Sequence, residues 1–218
     1  DYASGDISVA SGATLQLSSA GDAVDFGGTA DAPVTLTLGE GSVLSVGEGT
    51  VNLTAGTTLA FTGADGAAVD ASEATLTYRS GEEGGTLSFA DSRELGAFVF
   101  DSQGTVSSAS VGKSATLSAG ELSFAASANR AAEMSGAGTL AVGKISVNNT
   151  RSGNEISVGT LELTQAEAEI SVARNGSLEI SSDKIVFSEG VEDGTLVKTG
   201  AGTLTVGDAF QDDFAGSL

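Results

Sequence analysis

The chain has 218 residues, 29 acidic against 9 basic, for a net charge of −20, and no histidine, cysteine or tryptophan. Nucleic acid and anionic membrane surfaces call for clustered Lys and Arg; the five Arg and four Lys here stand singly, so both are excluded as partners. Without His or Cys the chain can build no Ser-His-Asp or Cys-His catalytic apparatus, no disulfide and no zinc site of the usual kind. The hydrophobic fraction of 40% separates it from disordered acidic tails.

Along the chain one short pattern returns. Thr14-Leu15-Gln16-Leu17, Thr35-Leu36-Thr37-Leu38, Thr58-Leu59-Ala60-Phe61, Thr86-Leu87-Ser88-Phe89 and Thr116-Leu117 carry it in the first half. Thr139-Leu140-Ala141-Val142, Thr160-Leu161-Glu162-Leu163, Ser177-Leu178-Glu179-Ile180 and Thr203-Leu204-Thr205-Val206 carry it in the second. One apolar residue taken from each (Leu15, Leu36, Leu59, Leu87, Leu117, Leu140, Leu161, Ile180, Leu204) gives intervals of 19 to 30 residues. A period in this range signals a repeat architecture.

Apolar residues alternate with Ser, Thr or Glu inside each unit, as in Lys144-Ile145-Ser146-Val147, Glu155-Ile156-Ser157-Val158 and Glu169-Ile170-Ser171-Val172. That is the period-2 signature of strands. Gly, Ser, Asn and Asp lie between them and supply turns. The single proline, Pro33, suits a chain whose strands are nearly all paired, because proline cannot donate to a ladder. Aromatics are only 5%, and small aliphatic side chains suffice for a narrow interior.

These features predict an all-β chain, one β-solenoid domain over residues 1–218, with about nine coils and a length of roughly 40 Å at about 4.8 Å per rung. Leu36, Leu59, Leu87, Leu117, Leu140, Leu161 and Leu204 are expected to stack in one inward ladder. The long intervals at Gly63 to Glu73 and Gly96 to Val111 are expected to carry protruding loops. Ala125 to Met134, with Thr164 to Glu169, give the chain's helical signals.

Candidate carboxylate clusters are Glu82-Glu83, Glu189 with Glu192-Asp193, and Asp208 with Asp212-Asp213. Nothing in their spacing pairs them as a glycosidase requires, and solvated turns account for them. Asp22-Ala23-Val24-Asp25 and Asp208 to Asp213 could each hold a surface cation weakly, but the calcium-binding nonapeptide and EF-hand loop are absent. Three Asn-x-Ser/Thr sequences occur, at Asn52, Asn148-Asn149 and Asn175; Asn148, Asn149 and Asn175 read as turn residues.

The most specific segment is Leu196-x-Lys198-x-Gly200-x-Gly202-Thr203-Leu204-x-Val206, followed by Phe214-Ala215-Gly216. It resembles the passenger-associated repeat of bacterial autotransporters, over residues 194–218. The family's turn is replaced here by Asp208-Ala209-Phe210. The resemblance implies a right-handed parallel β-helix at the bacterial surface or secreted, preceded by a signal peptide and followed by a translocator β-barrel. It implies a non-catalytic stalk or adhesin, monomeric, with a host or cell-surface ligand and no catalytic residue, cofactor or metal. Lack of cysteine fits a passenger that crosses the periplasm unfolded. The alternative on the same fold is a polysaccharide lyase or hydrolase.

Overall fold

A computed structural model describes residues 5–18, 23–27, 32–191 and 193–207. The chain winds as a parallel β-solenoid with three faces per turn. The first two turns use β1 (Ile7–Val9), β2 (Thr14–Leu17) and β3 (Ala23–Phe26), then β4 (Val34–Gly39), β5 (Val43–Val46) and β6 (Thr50–Leu53). The third uses β7 (Thr57–Thr62), β9 (Thr75–Ser80) and β10 (Thr86–Phe89), with β8 (Ala68–Val69) and a 3-10 turn at Ala71–Glu73 inserted after β7. Beyond them, strands run through corners. They are β11 (Arg93–Phe100), β12 (Ser107–Val111), β13 (Thr116–Phe124), β14 (Ala132–Val147) and β15 (Asn154–Leu163). β16 (Glu167–Val172), β17 (Ser177–Ile180), β18 (Lys184–Phe187), β19 (Thr195–Thr199) and β20 (Thr203–Val206) close the stack.

The second face stacks β2, β5, β9, β11, β13, β14, β16 and β19, and the third stacks β3, β6, β10, β12, β14, β15, β17 and β20. Eight rungs have seven steps between them, about seven turns where the repeats suggested nine, and roughly 34 Å at about 4.8 Å per step. The first face is interrupted. β1, β4, β7 and the antiparallel β8 form a sheet of their own, and the ladder restarts at the first half of β11.

Single glycines let strands bend without a loop. β11, β13 and β14 pass from the first face to the second at Gly96, Gly120 and Gly143. A Cβ on Gly120 would lie 2.7 Å from the Gly96 carbonyl oxygen, so only glycine lets these corners stack.

Between the faces the core is continuous. The predicted leucines do turn inward, but they do not form one ladder. Leu36 pairs with Leu59, and Leu117 with Leu140 and Leu161, on the first face. Leu87 lies on the third, between Val51 and Ala109, and Leu204 on the third above Leu178. Thr-Leu segments recur on two faces of one turn, so the repeats outnumber the coils: Leu59 and Leu87 share the third turn. The fourth turn has no such leucine, because Arg93 occupies the position below Leu117. The 30-residue step from Leu87 to Leu117 is therefore a change of face and a skipped turn, and Gly96 to Val111 is mostly strand.

Two further expectations fail. No helix forms at Ala125 to Met134 or Thr164 to Glu169. Ala132 and Met134 lie in β14, fully buried, and Glu167 to Glu169 lie in β16. Burial in a stacked column outweighs helix propensity, which is a weak prior. Nor is the interior uniformly aliphatic. Tyr78, Phe89, Phe98, Phe100 and Phe124 interlock in the middle turns, with ring centroids 4.9 to 6.4 Å apart. The Tyr78 hydroxyl donates to the Gly85 carbonyl at 2.7 Å, and burial pushes its pKa upward.

Candidate functional site

The connection from the second face to the third is three residues long after β5, five after β9 and six after β11. A short corner beside longer ones leaves a concavity, and a groove of about 660 Å³ lies there. Its floor is Gly47 and Gly81, which touch: a Cβ on Gly81 would lie 2.5 Å from the Gly47 Cα. Gln16, Ser45 and Arg79, successive outward residues of one column, form a wall. Glu48, Glu82, Glu83 and Gln103 form the rim.

Arg79 is committed within the wall. Its Nη2 donates to Asp101 Oδ2, and its Nε to the Asp101 carbonyl at 3.3 Å. Asp101 also accepts from Gln103 Nε2 at 2.6 Å and Ser127 Oγ at 2.9 Å. Burial by itself would raise the Asp101 pKa, but these donors and the Arg79 charge together hold it below its ordinary value. Beside it the Ser80 hydroxyl lies 2.8 Å from that of Thr105 and 3.2 Å from that of Ser107. The groove thus offers amides, hydroxyls and free carboxylates, and no aromatic platform. It can hydrogen-bond a neutral or cationic polar ligand and repels an anion.

Of the described carboxylates marked in the sequence, Glu82 and Glu83 reach this groove, exposed on the turn after β9. Glu189 and Asp193 lie on the turn between β18 and β19, remote in the fold. Asp25 faces outward on β3 and accepts from Asn52 Nδ2 at 3.0 Å. Asp22, Glu192, Asp208, Asp212 and Asp213 lie outside the described residues, as do Phe210 and Phe214. Among the described residues no group of three or more His, Cys, Asp or Glu is arranged to hold a metal ion, and no helix is long and apolar enough to cross a membrane.

Asn175 has the left-handed backbone of a turn, with φ of 67°. Asn149 does more than turn the chain. It is buried with Asn154, and their amides bond each other at 3.0 and 3.3 Å. Asn154 also donates to the carbonyls of Arg151 and Ser177 at 3.1 and 2.9 Å. The Asp101 network did not stand out in the sequence, since it joins Arg79 and Ser127, whose proximity to Asp101 depends on the coil register.

The most specific motif lies in the last turn. Leu196 is buried above Ala168; Lys198 Nζ donates to the carbonyls of Gly200 and Gly202 at 2.6 and 2.7 Å. Gly200 has φ of 75°, and Cβ atoms on Gly200 and Gly202 would each lie 2.2 Å from a carbonyl oxygen of the turn below. Thr203, Leu204 and Val206 stack on Ser177, Leu178 and Ile180. The described motif residues, Leu196 to Val206, set the geometry of this turn, and Phe214, Ala215 and Gly216 lie outside the described residues. No family model, curated protein or solved structure matches this chain.

Proposed function

We propose that this chain is a length of shaft from an autotransporter-like passenger, displayed at the bacterial surface or secreted, with a structural or adhesive task and no catalytic one. The observation that supports this reading is the turn of β19 and β20, where the described part of the passenger-like motif, Leu196 to Val206, serves coil geometry. The strong negative charge suits a soluble, exposed surface. The polar groove is the place for a host or cell-surface ligand, held by hydrogen bonds with the Gln16 amide and by donation to the rim carboxylates.

The rival is a polysaccharide lyase or hydrolase using Glu82 or Glu83 in that groove. One experiment separates them. The protein is incubated with panels of polysaccharides and peptides, with and without calcium. The proposal expects no turnover in any arm; turnover abolished by Glu82→Gln or Glu83→Gln establishes the enzyme instead. For location, protease added to intact producing cells should remove the chain from the surface, and full protection would overturn the assignment.

A further inference from the structure

The polar groove crosses the stack, with Gln16 on β2, Ser45 on β5, Arg79 on β9 and Gln103 after β11. Three steps at about 4.8 Å give it a span of roughly 14 Å, the length of about four extended residues. Gln16, Ser45 and Arg79 are consecutive in one column, so the short serine leaves a notch between two long side chains. Leu44 and Val46 turn into the core on either side of Ser45, which faces outward into the groove. Ser45 is nevertheless only 5% exposed, and its hydroxyl has no hydrogen-bond partner among the described residues. Buried hydroxyls are ordinarily bonded, so this one is a vacant donor and acceptor at the foot of the groove.

Charge narrows what can fill it. Arg79 and Asp101 neutralise each other, yet Arg79 Nη1 has no partner among the described residues and remains a donor. Glu48, Glu82 and Glu83 are exposed on the rim and join no ion pair among the described residues. A complementary ligand therefore brings positive charge to the rim and an acceptor to Arg79. A neutral sugar brings acceptors without charge, and no aromatic side chain lines the groove for its ring to stack on. A polyamine brings charge without an acceptor. A peptide bearing lysine brings both: the ammonium donates to the carboxylates, and main-chain carbonyls accept from Arg79 and Ser45. The floor of Gly47 and Gly81 has no side chain to hold a main chain away.

Given the groove's proposed role as the ligand site, we propose that its ligand is an extended, lysine-bearing peptide segment of the partner. Ser45 and Arg79 hold the segment's main chain, and Glu48, Glu82 and Glu83 select its charge.

Acetyl-Ala-Lys-Ala-Lys-amide, its norleucine analogue, spermidine and maltotriose are each titrated into the labelled protein in about 0.15 M NaCl, which screens the general field. Amide NMR shifts are followed. The lysine peptide should move the Gly47 and Gly81 amides, and bind more tightly than the other three. Glu82→Gln with Glu83→Gln should weaken it by about tenfold or more, and the charge-neutral Ser45→Ala by about threefold. Glu133→Gln with Glu155→Gln, on the third face of the upper turns, should leave its affinity unchanged. Equal weakening by the two glutamate pairs would reduce the binding to general charge attraction and overturn the proposal. So would spermidine binding as tightly as the peptide. Shifts at Gly47 and Gly81 from maltotriose alone would overturn the peptide and leave the groove as the ligand site. No shift there from any probe would remove the groove as a ligand site, and the proposal with it. Should Ser45→Ala misfold, the exposed Glu82 and Glu83 pair decides alone: undiminished affinity refutes the proposal.

Discussion

Leu140 is fully buried between Leu117 and Leu161 in a rigid column. Neighbours held by ladders on both sides cannot collapse into a void, so Leu140→Ala should cost about 2–5 kcal/mol, measured by urea unfolding. Asp101 gives a different test. Its folded pKa lies below the ordinary 3.8. Its stabilisation is therefore complete above about pH 4 and is lost as pH falls through the folded value. Asp101→Asn should lower stability at pH 7 by about 1–3 kcal/mol. It should also flatten the decline below pH 4. Equal slopes for the two proteins would show that Asp101 is not held in its charged form by the fold.

At the scale of elements, corners decide what the strands can do. Gly120→Ala places a methyl group against the Gly96 carbonyl and should cost about 1–3 kcal/mol through displaced backbone, read as a lower melting temperature. The insertion after β7 is held by little ladder pairing. It has one two-residue antiparallel strand and a single 3-10 turn, and its Asp70 carboxylate caps Ser72. Limited proteolysis should cut Gly63 to Glu73 before any bond in Lys144 to Ile180. First cleavage inside Lys144 to Ile180 would mean that the upper turns are the looser ones.

The sequence made strand identity plain, because Ile145-Ser146-Val147 can bury one side only as a strand. It made the solenoid plain through the period. It could not tell one face from another: Leu87 and Leu117 sit in like contexts on different faces, and only backbone register distinguishes them. The groove was half legible. Glu82 and Glu83 were marked, but a concavity made by unequal corners has no local signature, and neither does a carboxylate network gathered from Arg79, Asp101 and Ser127.

For the whole molecule, charge governs association. Repulsion from a net charge of −20 vanishes near the pI of 4.1. The protein should remain soluble at pH 7 in low salt and associate as pH approaches 4, followed by light scattering; equal scattering at pH 7 and pH 4 would remove charge as the controlling variable. Upper turns carry an offsetting surface ladder, with Lys144 Nζ 3.0 Å from Glu169, which also accepts from the Thr199 hydroxyl at 2.7 Å. Both groups are well exposed, and such pairs contribute little to stability.

The regular register has a kinetic meaning. Leu117 meets Leu140, and Leu140 meets Leu161, each a single turn later in the chain. No described pairing joins the first turn to the last. The molecule can therefore be laid down progressively, each finished turn serving as the mould for the next, with no wait for a distant segment. Removing β1 to β3 should leave the refolding rate of the middle turns nearly unchanged in stopped-flow fluorescence of Tyr78. A large slowing would mean that growth must begin at the first turn.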